Sequence, residues 1–113
     1  MITPLHPARE QFQLEDVLAA LGHPVRMKIV RALASGEEKY CGEIETGAPK
    51  STLTHHWRVL RESGVIRLRH SGRRNYLTLR GEDLEARFPG LLAVVFGGDA
   101  EGSSRETAGQ EAT

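Results

Sequence analysis

Lys50-Ser51-Thr52-Leu53-Thr54-His55-His56-Trp57-Arg58-Val59-Leu60-Arg61-Glu62-Ser63-Gly64 decides the fold. Thr46-Gly47-Ala48-Pro49 precedes it as a tight turn, and Gly64 follows as a residue suited to the left-handed backbone past a helix end. Wound at the helical period, Leu53, Trp57 and Leu60 form one stripe, while Lys50, Ser51, Thr54, His55, Arg58 and Arg61 occupy the other side. Every group on that second side can bond a base or a phosphate. Trp57 reads as core, and His56, flanking the stripe, reads as a ring that makes an internal hydrogen bond.

Outward from this helix, Val65 to Arg69 alternates apolar and basic residues. His70-Ser71-Gly72-Arg73-Arg74 reads as a turn, and Tyr76 to Leu79 returns as a strand. The result is a two-stranded hairpin with an arginine-bearing tip. On the N-terminal side, Leu14, Val17, Leu18 and Leu21 mark one helical face ended by Gly22. A second helix opens at His23-Pro24, where proline is well tolerated, carries Val25, Ile29, Val30 and Leu33, and stops at Ser35-Gly36. A short helical segment is expected around Cys41 to Glu45. Beyond the hairpin, Leu84, Phe88, Leu91, Leu92 and Val95 predict a last helix or helix pair over 81–96, with Pro89 either kinking it or starting its second part.

The element order predicts a mainly α fold with a small β-hairpin: about five helices plus a two-stranded wing, a winged helix-turn-helix. In that arrangement the second helix of the motif enters the major groove, where each base pair shows a distinct pattern of donors and acceptors. A length of 113 residues suits one such unit. The expected organisation is an N-terminal arm over 1–11, flexible or packed on a partner, a DNA-binding domain over 12–96, and a disordered tail over 97–113. That tail, rich in Gly, Ser, Thr, Ala and Glu, has too little apolar surface to order itself.

Formal net charge is zero, but the distribution is uneven. Lys50, Arg58, Arg61, Arg67, Arg69, Arg73, Arg74 and Arg80 stand against one acid, Glu62, so the 50–80 segment carries about +7. Such segregation is the footprint of a face that meets phosphates; the plainer alternative is a solvated charge run. No apolar run is long enough to span a membrane, and the N-terminus lacks the pattern of a secretory signal, so the cytoplasm is the expected compartment. Cys41 is the one cysteine, which excludes an intrachain disulfide. Catalysis finds little support: Ser51 and His55 lie four apart on a helix with no third group or oxyanion donor.

Two stretches resemble a known family. Leu18 to Val30, LAALGHPVRMKIV, is similar to the opening "ALADPTRLRIL" of the ArsR/SmtB regulators, and Ser51 to Ile66, STLTHHWRVLRESGVI, resembles their recognition-helix signature "STVSHHLKVLREAGLV", followed by a Gly-Arg wing. The resemblance spans roughly residues 14 to 80. It implies a transcriptional regulator, commonly a repressor. It also implies a homodimer formed largely by the first and last helices, which sets two recognition helices on a near-palindromic operator in double-stranded DNA. Carried onto this chain, the recognition-helix set is Lys50, Ser51, Thr52, Thr54 and His55 at base edges or adjoining backbone, with Arg58 on phosphate. His70, Arg73 and Arg74 form the wing set, on the backbone or in the minor groove.

Many relatives in this family release DNA on binding metal, through a Cys-x-Cys pair in the short helix or through His and carboxylate ligands in the last helices. Here the short helix reads Tyr40-Cys41-Gly42-Glu43 and residues 81–96 hold no histidine, so both familiar sites are absent. Metal control would need another site, built from His6, Glu10, Glu15, Asp16 or His70, within one chain or between subunits. Nitrogen and oxygen ligands of that kind favour nickel, cobalt or zinc over copper(I), although any solvated surface contains such residues. Redox control would rest on Cys41, whose plainer role is a buried thiol acting as a small apolar side chain. A regulatory protein, or the regulator's own abundance, is the remaining alternative.

Overall fold

The computed structural model describes residues 6–101. Helix α1 (Leu14–Leu21) begins with Glu15 and Asp16 in its first turn, where acidic groups complement the positive end of the helix dipole. Helix α2 (Pro24–Ala32) starts on Pro24 after His23, whose Nδ1 accepts a hydrogen bond from the Val25 N–H. A short strand β1 (Lys39–Tyr40) leads into a 3-10 turn, Cys41–Glu43. Helix α3 (Lys50–Ser63) follows, then strands β2 (Ile66–Ser71) and β3 (Arg74–Leu79), and finally helices α4 (Gly81–Arg87) and α5 (Leu91–Glu101). None of these helices is long and apolar enough to cross a membrane.

The apolar stripes converge as their periodicity requires. Val17, Ala20 and Leu21 of α1 meet Ile29, Val30 and Leu33 around α2, Leu60 and Val65 at the end of α3, and Ile66, Leu68, Leu77 and Leu79 from the inner face of the sheet. Leu84 and Val95 close the core from the C-terminal helices. Helix α3 ends in a Schellman arrangement: Gly64 adopts φ 96°, its N–H bonds the Arg61 carbonyl, and the Val65 N–H bonds the Leu60 carbonyl. Phe12, 1% exposed, lies against that glycine, and a Cβ there would fall on its ring.

Four features differ from the expectation. The sheet has three antiparallel strands, in the order β1-β3-β2, because Lys39 and Tyr40 pair with Leu77 and Tyr76; two residues are too few to leave a period-two signature. The hairpin turn is also tighter. Ser71 already pairs with Arg74, leaving Gly72, at φ 62°, and Arg73 as the two-residue loop, so Arg74 belongs to β3 rather than to the turn. Pro89 starts no helix and kinks none: it sits with Gly90, at φ 91°, in the break between α4 and α5.

Last, the boundaries of the domain move outward at both ends. Residues 6–11 of the arm pack on their own chain: His6 Nε2 accepts the Leu68 N–H at 2.9 Å, the Pro7 carbonyl accepts Arg80 Nη1 at 2.8 Å, and Arg9–Gln11 form a 3-10 turn. Helix α5 runs through Gly97 and Gly98 to Glu101, because two glycines weaken a helix without forbidding it. The remainder of the expected tail, 102–113, lies outside the described residues.

Candidate nucleic-acid interface

Pro49 sits in extended backbone just before α3 and turns the chain into the helix, with Thr52 Oγ1 donating to its carbonyl at 2.9 Å. From that start Lys50, Ser51, Thr52, Thr54, His55 and Arg58 are all exposed. Arg58 Nη2 reaches His55 Nδ1 at 3.5 Å, joining two of these groups across one turn. Arg61, assigned to the same side, is half-buried with its guanidinium 3.8 Å from the Glu62 carboxylate. On the opposite side Leu60 is buried, whereas Leu53 and Trp57 are only partly so. Trp57 therefore borders the core and does not lie within it.

His56 is 7% exposed and makes the internal contact read from its position. Arg26 Nη1 donates to its Nδ1 at 3.1 Å, while Nε and Nη2 of the same guanidinium donate to the Ala20 and Ala19 carbonyls. One arginine thus ties the C-terminal end of α1 to α2 and α3. Desolvation, followed by the nearby charges of His23, Arg26 and His55, holds the His56 pKa below the ordinary histidine value. Nothing local in the sequence marks Arg26 for this role, because its partners lie on other helices.

At the wing, Arg73 is exposed in the two-residue loop, and the His70 ring contacts the Asn75 side chain. The Arg74 guanidinium lies over the Tyr40 ring, 4.4 Å from its centroid. Between the wing, the 3-10 turn and the first half of α3 opens a cleft of about 820 Å³ lined by Tyr40, Cys41, Lys50, Thr54, Trp57 and Arg73, among others. Cys41 is half-buried at its edge.

The basic count of the 50–80 segment overstates what faces outward. Arg80 is 8% exposed and bonds Asp83 with Nε at 3.0 Å and Nη2 at 2.9 Å, its guanidinium lying 4.9 Å from the Phe12 ring centroid. Arg9 shares the same carboxylate at 2.7 Å, and its hydrogen bond, with that of Arg80, lowers the Asp83 pKa below the usual carboxylate value. Arg69 forms a two-pronged pair with Glu38, both contacts 2.8 Å, which lowers the Glu38 pKa. Arg80 and Arg69 are therefore structural charges, and a window count could not separate them from the rest.

The residues considered for metal are not gathered together. Glu10 lies in the first 3-10 turn, Glu15 and Asp16 open α1, His6 is engaged with β2, and His70 is on the wing. Among the described residues no three His, Cys, Asp or Glu side chains form a group that could hold a metal ion.

With this geometry in view, residues 21–69 match the model of a helix-turn-helix domain family. The chain is 34% identical over 83 residues to YceK, an uncharacterised HTH-type transcriptional regulator of Bacillus subtilis, covering 71% of this chain and 83% of that protein. The crystal structure of the transcriptional repressor BigR from Xylella fastidiosa is similar with a TM-score of 0.54 and 31% identity, over 66% of this chain and 85% of that one. The chain belongs to the ArsR/SmtB family. The fold agrees over a wider span with the crystal structure of an ArsR family transcriptional regulator, TM-score 0.59 at 21% identity, covering 88% of this chain and 98% of that one. As a member, this ArsR/SmtB chain is a transcriptional regulator of the helix-turn-helix type, with DNA as its partner.

Proposed function

We propose that this regulator is a homodimeric repressor that sets two α3 helices into successive major grooves of a near-palindromic operator, with the wing on the adjoining backbone or minor groove. One observation carries the reading: Lys50, Ser51, Thr52, Thr54, His55 and Arg58 all stand exposed on a helix anchored through Leu60 and His56. On such a helix, Lys50, Ser51, Thr52, Thr54 and His55 reach base edges or nearby backbone, and Arg58 reaches phosphate. Arg73, Arg74 and His70 provide the wing contacts. Repression is the activity of the similar protein BigR, a transcriptional repressor.

Dimerisation is supported by apolar groups left outside the core. Leu14 (44%) and Leu18 (50%) are exposed one turn apart on α1, and Val94 (74%) is exposed on α5, so the first and last helices each offer apolar surface to a second copy. A nickel, zinc or cobalt centre using His6, Glu10, Glu15, Asp16 or His70 would have to draw ligands from both subunits.

The test is fluorescence-anisotropy binding to the chain's own promoter and to random DNA across a salt series. His55→Ala is expected to reduce the preference for operator roughly tenfold, the scale on which one side chain discriminates a base. Arg73→Ala is expected to weaken both DNAs alike and to lower the salt slope by about 1 for each phosphate it ceases to neutralise. Equal losses on the two DNAs for His55→Ala would remove that residue from base readout, and salt-insensitive binding would overturn the interface.

A further inference from the structure

The outer face of the sheet carries a row of rings and guanidinium groups that the recognition-helix reading leaves unused. Tyr40 of β1 pairs in register with Tyr76 of β3, which pairs with Arg69 of β2. The tyrosine rings lie 6.1 Å apart, tilted by 49°. Arg69 stacks over Tyr76 at 4.7 Å and is held on Glu38, while Arg74, two residues before Tyr76 and so on the same face, stacks over Tyr40 at 4.4 Å. The row thus runs Glu38, Arg69, Tyr76, Tyr40, Arg74 across all three strands.

Its two ends differ in charge. Arg69 is neutralised by a carboxylate, whereas among the described residues no carboxylate pairs with Arg74. Stacking on a ring face holds a guanidinium in place by electrostatic attraction and leaves its N–H edge unsatisfied. Tyr40 has room for this because of Gly42: a Cβ at that position would fall on the Tyr40 ring.

We propose that Tyr40 is a positioning residue for DNA binding: it holds Arg74 on the flank of the wing with its donors free for a phosphate, and Gly42 supplies the space in which the ring lies. This rests on the reading that Arg74 meets the DNA backbone. A guanidinium already ordered on the ring loses less side-chain freedom on binding than one that must first be immobilised.

The experiment is operator binding across a salt series by the full chain and its Arg74→Ala, Tyr40→Leu, Tyr40→Phe, Gly42→Ala and Tyr40→Leu/Arg74→Ala variants, each checked for folding by circular dichroism. Arg74→Ala should lower both affinity and salt slope, because a phosphate partner and its released counterions are gone. Tyr40→Leu should weaken binding roughly fivefold, about 1 kcal/mol, with the slope retained, since Arg74 still reaches phosphate but without preorganisation. Tyr40→Phe keeps the ring face and should bind as the parent does. Gly42→Ala, which displaces the ring and deletes no DNA-contacting group, should resemble Tyr40→Leu, and the double variant should be no weaker than Arg74→Ala. Unchanged binding by Tyr40→Leu and Gly42→Ala, or losses that add fully to that of Arg74→Ala, would overturn the positioning role while leaving Arg74 on the DNA. An Arg74→Ala variant with unaltered affinity and slope would overturn the wing contact and the positioning role together.

Discussion

On α3 and buried against α2, His56 sits where its charged form is disfavoured: desolvation opposes the charge first, and the Arg26 cation that donates to Nδ1 would face a second cation if the ring were protonated. The His23 ring, 4.5 Å away, and the His55 ring, 5.7 Å away, complete its titratable neighbours among the described residues. Because its folded pKa is lowered, the unfolded chain takes up the proton first. Stability from this site is therefore complete above the ordinary value of 6.5 and is lost as pH falls below it. Thermal unfolding followed from pH 8 to pH 5 should show a falling Tm across that window. His56→Gln, which keeps an acceptor for Arg26 without a titratable ring, should flatten the fall; an equally steep fall in that variant would place the acid sensitivity elsewhere.

At the scale of elements, α3 matters through its end as much as through its face. The left-handed Gly64 turns the chain sharply enough for Val65 to be buried against the core and for the Val65 carbonyl to accept the Arg80 N–H at 2.9 Å, which positions the wing beside the helix. Gly64→Ala meets two obstacles, the αL backbone and the Phe12 ring, and should destabilise the fold by about 2 kcal/mol or more. Urea unfolding measures this directly, and a loss below about 0.5 kcal/mol would show that Phe12 moves aside freely. The helix and its cap were legible in the sequence, since a 3.6-residue stripe followed by glycine is a local pattern. Strand β1 was not, because what makes Lys39–Tyr40 a strand is the edge of β3 more than thirty positions away.

For the whole molecule, the proposed assembly follows from where apolar surface remains. Leu18→Glu places a charge among the exposed α1 leucines without touching the core, so the monomer fold should persist while dimerisation weakens at least tenfold. Sedimentation velocity would report the shift, and operator binding would weaken with it, since one α3 helix alone contacts half a site. An unshifted sedimentation coefficient would place the interface on another surface. His6 and Pro7 belong to this scale too: they are bound to β2 and Arg80, so the described part of the segment read as an arm, flexible or packed on a partner, packs on the body of its own chain.

Sequence alone determined the order and identity of the helices, the hairpin, the polar face of α3 and the family, because each rests on periodicity, turn chemistry and short motifs that neighbouring residues settle between themselves. Tertiary structure decided which charges remain for a partner. Arg69 is neutralised by Glu38, 31 positions away, and Arg9 by Asp83, 74 positions away, while Arg74 finds a ring in place of an acid. Coulomb and hydrogen-bond interactions act through space at a few ångströms, and only the folded chain brings such distant residues that close.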